Sequence, residues 1–302
     1  MTCGQAVPQG CPTAKFTIMK KSLLFLAAAS LLAFAGCVTT DLTNPLLPEV
    51  SLSDMGYHGP VKSVSTNYVM TFSSDSSICY WLPDSTLKEF STEGKCVNES
   101  FRRHYEAETE QYVYDSLGRV VADTLRSEGD NVMAYRYNSE GRLQSTESYF
   151  EFGDTWTMVS QTFFEYDAMG RPVLARDQHD TTRYYYDKRG RVVREETSKE
   201  VYSTFRYDRK GRVVERCNYF SNNWWTSTYR YDKHGNTIET SSIERVSGSG
   251  MVLYNTSTSY TYTDFDKYGN WIKVQIIVKE KDARMGSNSE WHYDVNRVIE
   301  YY

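Results

Sequence analysis

Long apolar runs are scarce in this chain. The one from Ser22 to Gly36 covers about 15 residues, short of the roughly 20 that a spanning helix needs, which excludes a transmembrane helix there. Five histidines, His58, His104, His179, His234 and His292, are scattered without H-E-x-x-H spacing, so they form no metal motif. There is no C-x-x-C or zinc-type cysteine cluster either. G-x-S-x-G, Walker and dinucleotide-binding glycine patterns are all missing, which leaves no recognisable catalytic constellation and no implied cofactor. A paired-carboxylate hydrolase stays open, because the separation that identifies one is spatial. Positive charge is also in deficit, with 34 Lys plus Arg against 39 Asp plus Glu. Three of those lysines, Lys15, Lys20 and Lys21, fall in the first 36 residues, which hold no acid. The rest of the chain is therefore more acidic still, which argues against nucleic acid as a partner.

Aromatic residues, by contrast, are abundant: 25 Tyr, 13 Phe and 6 Trp. Aromatic and Thr enrichment with short apolar stretches points to β-structure.

The N-terminus reads as a targeting segment. Met19-Lys20-Lys21 gives a basic start, residues 22–36 an apolar stretch, and Phe34-Ala35-Gly36 small residues before Cys37; this is a secretory signal layout over 19–36. Phe34-Ala35-Gly36-Cys37 resembles a bacterial lipobox, which implies lipidation of Cys37 and a membrane contact through that lipid. Phe34 stands where Leu is usual. Residues 1–18 are expected to precede the true start at Met19. Residues 37–58 are expected to be the lipidated cysteine and a tether, since Thr39 to Glu49 holds Thr, Asn and two prolines, and the folded domain to occupy 59–302. Cys79, Cys96 and Cys217 remain in the exported part, an odd number that leaves at least one thiol free. A Cys79 to Cys96 bridge is open in an oxidising compartment, but no spacing demands it.

Within 59–302 one pattern recurs eight times, an aromatic, usually Asp, two variable residues, Gly and usually Arg. Its aromatic and glycine positions are Phe90/Gly94, Tyr114/Gly118, Tyr137/Gly141, Tyr166/Gly170, Tyr186/Gly190, Tyr207/Gly211, Tyr231/Gly235 and Phe265/Gly269. The glycines are 24, 23, 29, 20, 21, 24 and 34 residues apart, a period that marks a repeat architecture. Asp or Asn opens a type I turn through a side-chain bond to a backbone N–H two residues on, and Gly supplies the positive φ of a bulged hairpin corner. Single carboxylates beside basic residues do not make the oxygen cage a hard cation needs, so no metal is expected at the corners. Polar clusters at Ser127–Asn131, Phe152–Thr155, Asp177–Asp180, Ser221–Asn223 and Ser247–Gly250 mark the opposite turns.

Two residues before the motif aromatic another aromatic stands at Tyr112, Tyr135, Phe164, Tyr184, Phe205 and Tyr229, often with a charged residue between. Residues two apart in a strand share a face, so one face is aromatic and the other charged. The expected fold is all-β, an antiparallel β-hairpin repeat meander of roughly 16 strands. Accumulated twist should curve such a sheet into a trough or incomplete barrel with the aromatics inward.

The motifs from Tyr114 to Asn270 resemble the YD repeats of the RHS-repeat superfamily. Gly269-Asn270-Trp271 followed by Arg297-Val-Ile-Glu-Tyr-Tyr302 resembles the short YD-repeat lipoproteins of Bacteroidetes-type bacteria. The first corner, with Ser91 for Asp, and the last two, with Asn236 and Asn270 for Arg, depart from the pattern. The resemblance implies a non-catalytic cell-envelope lipoprotein, exported and anchored to the outer membrane on its periplasmic or cell-surface face. Its repeats would serve as a binding or scaffold module for a glycan or envelope protein. A purely structural envelope protein and a carbohydrate-active hydrolase are the alternatives. Trp156, Trp224 and Trp225, beside the opposite turns, are the candidate ligand-binding residues, because exposed rings anchor glycans and proteins; capping of the sheet's aromatic face is the competing role for them.

Overall fold

A computed structural model describes residues 46–48, 50–75, 82–103, 106–126, 130–152 and 155–302. Cys37, the signal segment and Cys79 lie outside the described residues. Among the described residues eighteen strands follow in chain order. They are β1 (Val61–Ser73), β2 (Ser85–Phe90), β3 (Cys96–Arg103), β4 (Glu106–Tyr114), β5 (Val120–Arg126), β6 (Asn131–Tyr137), β7 (Leu143–Phe152), β8 (Thr155–Tyr166) and β9 (Pro172–Arg176). The second half comprises β10 (Thr181–Tyr186), β11 (Val192–Glu196), β12 (Tyr202–Tyr207), β13 (Val213–Phe220), β14 (Asn223–Tyr231), β15 (Thr237–Val246), β16 (Val252–Phe265), β17 (Trp271–Asp282) and β18 (Ser287–Tyr301).

Each strand pairs antiparallel with the next, and β1 pairs both with β2, from Ser63 to Asn67, and with β18, from Val61 to Ser73. The sheet therefore closes on itself. This corrects the expected trough of about sixteen strands. The eight corners account for β2 through β17, and the chain's two flanking strands, β1 and β18, join to complete an 18-stranded barrel. Closure has a physical cause: an open sheet of this size leaves two unpaired edges, and closing removes both.

Directly paired residues on neighbouring strands share a face. Following the pairs around the ring places Tyr112, Tyr135, Phe164, Tyr184, Phe205 and Tyr229 on the inner face, with Ile276, Tyr293 and Val295. The residues between them point outward and pair across strands: Arg136 with Glu147 at 2.9 Å, Arg206 with Glu215 at 3.2 Å, and Arg230 with Glu239. The expected aromatic and charged faces are thus the inner and outer walls.

Leu46, Leu47, Leu52 and Met55, before β1, pack against the barrel. Val50 and Tyr57 are buried and join the cluster of Val61, Val64, Phe90, Cys96, Tyr112 and Leu143 at the corner end of the barrel. Cys96 N–H donates to Val50 O at 2.7 Å and Leu52 N–H to Gly94 O at 3.0 Å, which fastens this segment to the first corner.

Candidate functional site

The repeated motif is a closed network. At the corner beginning with Asp115, the Gly118 N–H donates to Asp115 O, and Asp115 Oδ1 accepts the Leu117 and Arg119 N–H groups, all at 2.9 Å. Gly118 has φ +73°, which a glycine adopts without the strain a Cβ would bring. Arg119 then folds back, Nε donating to Asp115 Oδ2 at 2.8 Å, and its guanidinium lies 4.3 Å from the ring centre of the next motif tyrosine, Tyr137. Tyr137 in turn donates its hydroxyl to Val120 O at 2.8 Å. Asp, Gly, Arg and the following Tyr therefore bind one repeat to the next. The same stack joins Arg171 to Tyr186, Arg191 to Tyr207 and Arg212 to Tyr231 at 4.4–4.7 Å.

The departures from the motif have their own explanations. Ser91 keeps the turn, because its Oγ accepts the Lys95 N–H at 3.3 Å as the Asp carboxylate does elsewhere. At the penultimate corner Asn236 Nδ2 still reaches Asp232 Oδ2, at 2.9 Å. Asn270 also reaches its own Asp266, at 3.1 Å, but does more than that. It is buried, accepts the His58 N–H at 2.8 Å, and donates to His58 O at 2.8 Å and Tyr301 Oη at 2.9 Å. This corner faces the seam where the chain's ends meet, so Asn there grips the N-terminal segment in place of another repeat. Tyr302 Oη donates to Phe90 O at 2.5 Å across the same seam.

Phe265 holds the aromatic position of the last motif, yet Tyr262 does the work: its hydroxyl donates to Thr237 O at 2.9 Å. Two register shifts between Tyr262 and Phe265 make this possible. The signal was present as Tyr260-Thr261-Tyr262, which repeats the spacing of Tyr112-Val113-Tyr114.

Sequence reasoning missed a polar cluster on the inner wall of β2 to β6. Lys88 and Glu99 form an ion pair, and Tyr135 Oη donates to Asp123 Oδ2 at 2.6 Å. Glu110 is paired directly with Glu99, and Asp123 with Tyr112. Burial, and then Asp123, push the Glu110 carboxyl up to about 7. Burial also raises Asp123, against the pull of the Tyr135 hydroxyl and the Met133 N–H. Burial alone would depress the Lys88 ammonium, but Glu99 outweighs it and the net shift is upward. The Cys96 thiol, buried and free, is pushed up to about 12 by its burial, so it is a packing residue and no nucleophile. Glu99, Asp123, Tyr112 and Tyr135 are all buried.

The three tryptophans do not converge. Trp156 stands on the outer face of β8, opposite Glu151. Trp224 also faces outward, opposite Tyr219 and Arg245, whereas Trp225 faces inward with its ring 5.7 Å from Tyr254. Among the described residues no His, Cys, Asp and Glu group is arranged to hold a metal ion. A cavity of about 310 Å³ lies at the seam, lined by His58, His234, Asn236, Tyr268, Asn270 and Arg297.

Residues 92–224 match the Teneurin YD-shell family. Over that span the corners are YD repeats. Among solved structures, the YD-repeat barrel is similar to a porin-like protein from Bacteroides uniformis, at 13% identity and a TM-score of 0.41, over 80% of this chain and 99% of that one. It is also similar to TcdB2-TccC3-TEV, at 12% identity and a TM-score of 0.32, over 66% of this chain and 13% of that one. The barrel thus spans only a small part of the latter protein. No curated protein matches the chain.

Proposed function

We propose that this YD-repeat barrel is a non-catalytic scaffold of the cell envelope, held to the outer membrane by a lipid on Cys37 and offering its outer wall to a glycan or protein partner. The observation that carries this reading is the outer face of β8. Trp156, Met158 and Phe163 all point outward there and are 47, 51 and 49% exposed. Ion pairs lace much of the outer wall, and beside them these large apolar side chains form an exposed patch of the kind that marks interaction sites. The motif residues support the scaffold role, since their polar groups are used between repeats.

Glycan arrays and pull-downs from envelope extracts with wild type and the W156A/F163A double variant test the surface. Capture by wild type and its loss in the variant is the expected result; empty arrays and empty pull-downs would sink the binding reading. In that case a purely structural role predicts altered envelope integrity on deletion and none with the Trp156, Trp224 and Trp225 alanine variants. The anchor is tested separately with labelled palmitate, which should mark wild type and not Cys37→Ala.

A further inference from the structure

The two variable positions of each corner project from the barrel's rim, and in four consecutive corners they are mostly basic. Between β10 and β17 these tips are Lys188 and Arg189, Arg209 and Lys210, Lys233 and His234, and Lys267 and Tyr268, all exposed. The eight tip positions hold six Lys or Arg and no acid, on a chain whose net charge is −5. Behind them Asp187 and Asp208 are already paired with Arg191 and Arg212, at 2.6 and 2.7 Å. The corners are neighbours around the ring, so the tips form one arc. The adjacent corner ends in Met169, 78% exposed.

The same rim is where the chain enters the fold, since Leu46 and Leu47 pack on the corner-end cluster. Cys37 stands nine residues before Leu46, a reach of at most ~32 Å. The fifteen residues of β18 run about 50 Å along the strand. A lipid on Cys37 therefore brings the corner rim to the bilayer and leaves the opposite rim pointing away.

We propose that the corner rim is a second membrane-binding element, in which the basic arc docks on anionic phospholipid headgroups beside the anchor. The orientation rests on the lipid reading of Cys37; the charge complementarity does not. A lipid chain and a basic cluster reinforce one another at a membrane, each being weaker alone.

The test uses the full chain carrying Cys37→Ser, so that lipid does not mask the rim, sedimented with phosphatidylcholine vesicles with or without about one-third phosphatidylglycerol. At least ~10-fold more protein should sediment with the anionic vesicles, and the excess should vanish in about 0.5 M salt. The exposed-tip variant K188E/R189E/R209E/K210E should lose it while keeping the thermal midpoint of wild type. Equal sedimentation with both vesicles, an unaffected variant, or binding only to an acidic polysaccharide would each overturn the proposal. Palmitate labelling of wild type reports the anchor independently: labelled protein whose Cys37→Ser form ignores anionic vesicles refutes the rim alone. Vesicle binding by a chain that takes up no label refutes the anchor alone.

Discussion

Glu110 and the corner aspartates set opposite limits on stability with pH. The Glu110 carboxyl, raised to about 7 by burial and then by Asp123, holds its proton more tightly folded than unfolded. Its contribution is complete below the ordinary value of 4.5 and is lost as pH rises through about 7. Glu110→Gln is therefore expected to match wild type near pH 4.5 and to exceed it by roughly 1–3 kcal/mol near pH 8.5 in urea denaturation. A difference independent of pH would refute this account. The corner carboxyls have the reverse sign. The Arg119 backbone N–H, and then its guanidinium, hold Asp115 below the usual range, and the same groups of Arg171 hold Asp167. Their contribution is present above the ordinary value of 3.8 and is lost as pH falls through the depressed one. The protein should accordingly be most stable between these limits.

A single hairpin corner isolates turn chemistry from repeat-to-repeat contact. Gly190 has φ +82°, and a Cβ added there meets nothing within 4 Å. Gly190→Ala thus tests backbone strain alone and should cost about 1–2 kcal/mol. Tyr207→Phe keeps the ring under Arg191 but removes the hydroxyl that donates to Val192 O. A loss of about 1 kcal/mol is expected, and a larger one if the carbonyl finds no water. Both are read from denaturant midpoints: no change in Gly190→Ala would refute the strain account, and none in Tyr207→Phe would show that the corners are not coupled as described. These elements were legible in the sequence because a turn is local: Asp, Gly and their spacing specify it within six residues. Phe265 is the exception, since local spacing cannot show that two register shifts hand its place to Tyr262.

For the whole barrel, the seam is where local rules give way. The other corners lean on the next repeat, while Asn270 holds His58, just before β1, and Tyr301, at the end of β18. Asn270→Ala strands the His58 N–H and C=O and should cost roughly 2–3 kcal/mol, more than Asn236→Ala, whose side-chain amide reaches Asp232 of its own corner. Hydrogen exchange should rise first in β1 and β18. Equal cost at both positions would mean that the ring does not depend on the seam. The inner-wall cluster is likewise a product of closure: Lys88, Glu99, Glu110 and Asp123 lie on different strands, and no motif links them in sequence.

The sequence by itself determined the repeat, its corners, the antiparallel order of the strands and the division into aromatic and charged faces, because turns and alternation act over two to six residues. Tertiary structure decided that the sheet closes, that eighteen strands form it, that Leu46 and Leu47 pack against it and that the three tryptophans lie apart. Those outcomes depend on accumulated twist and on contacts between residues more than 200 positions apart, such as His58 with Asn270, which no local pattern encodes.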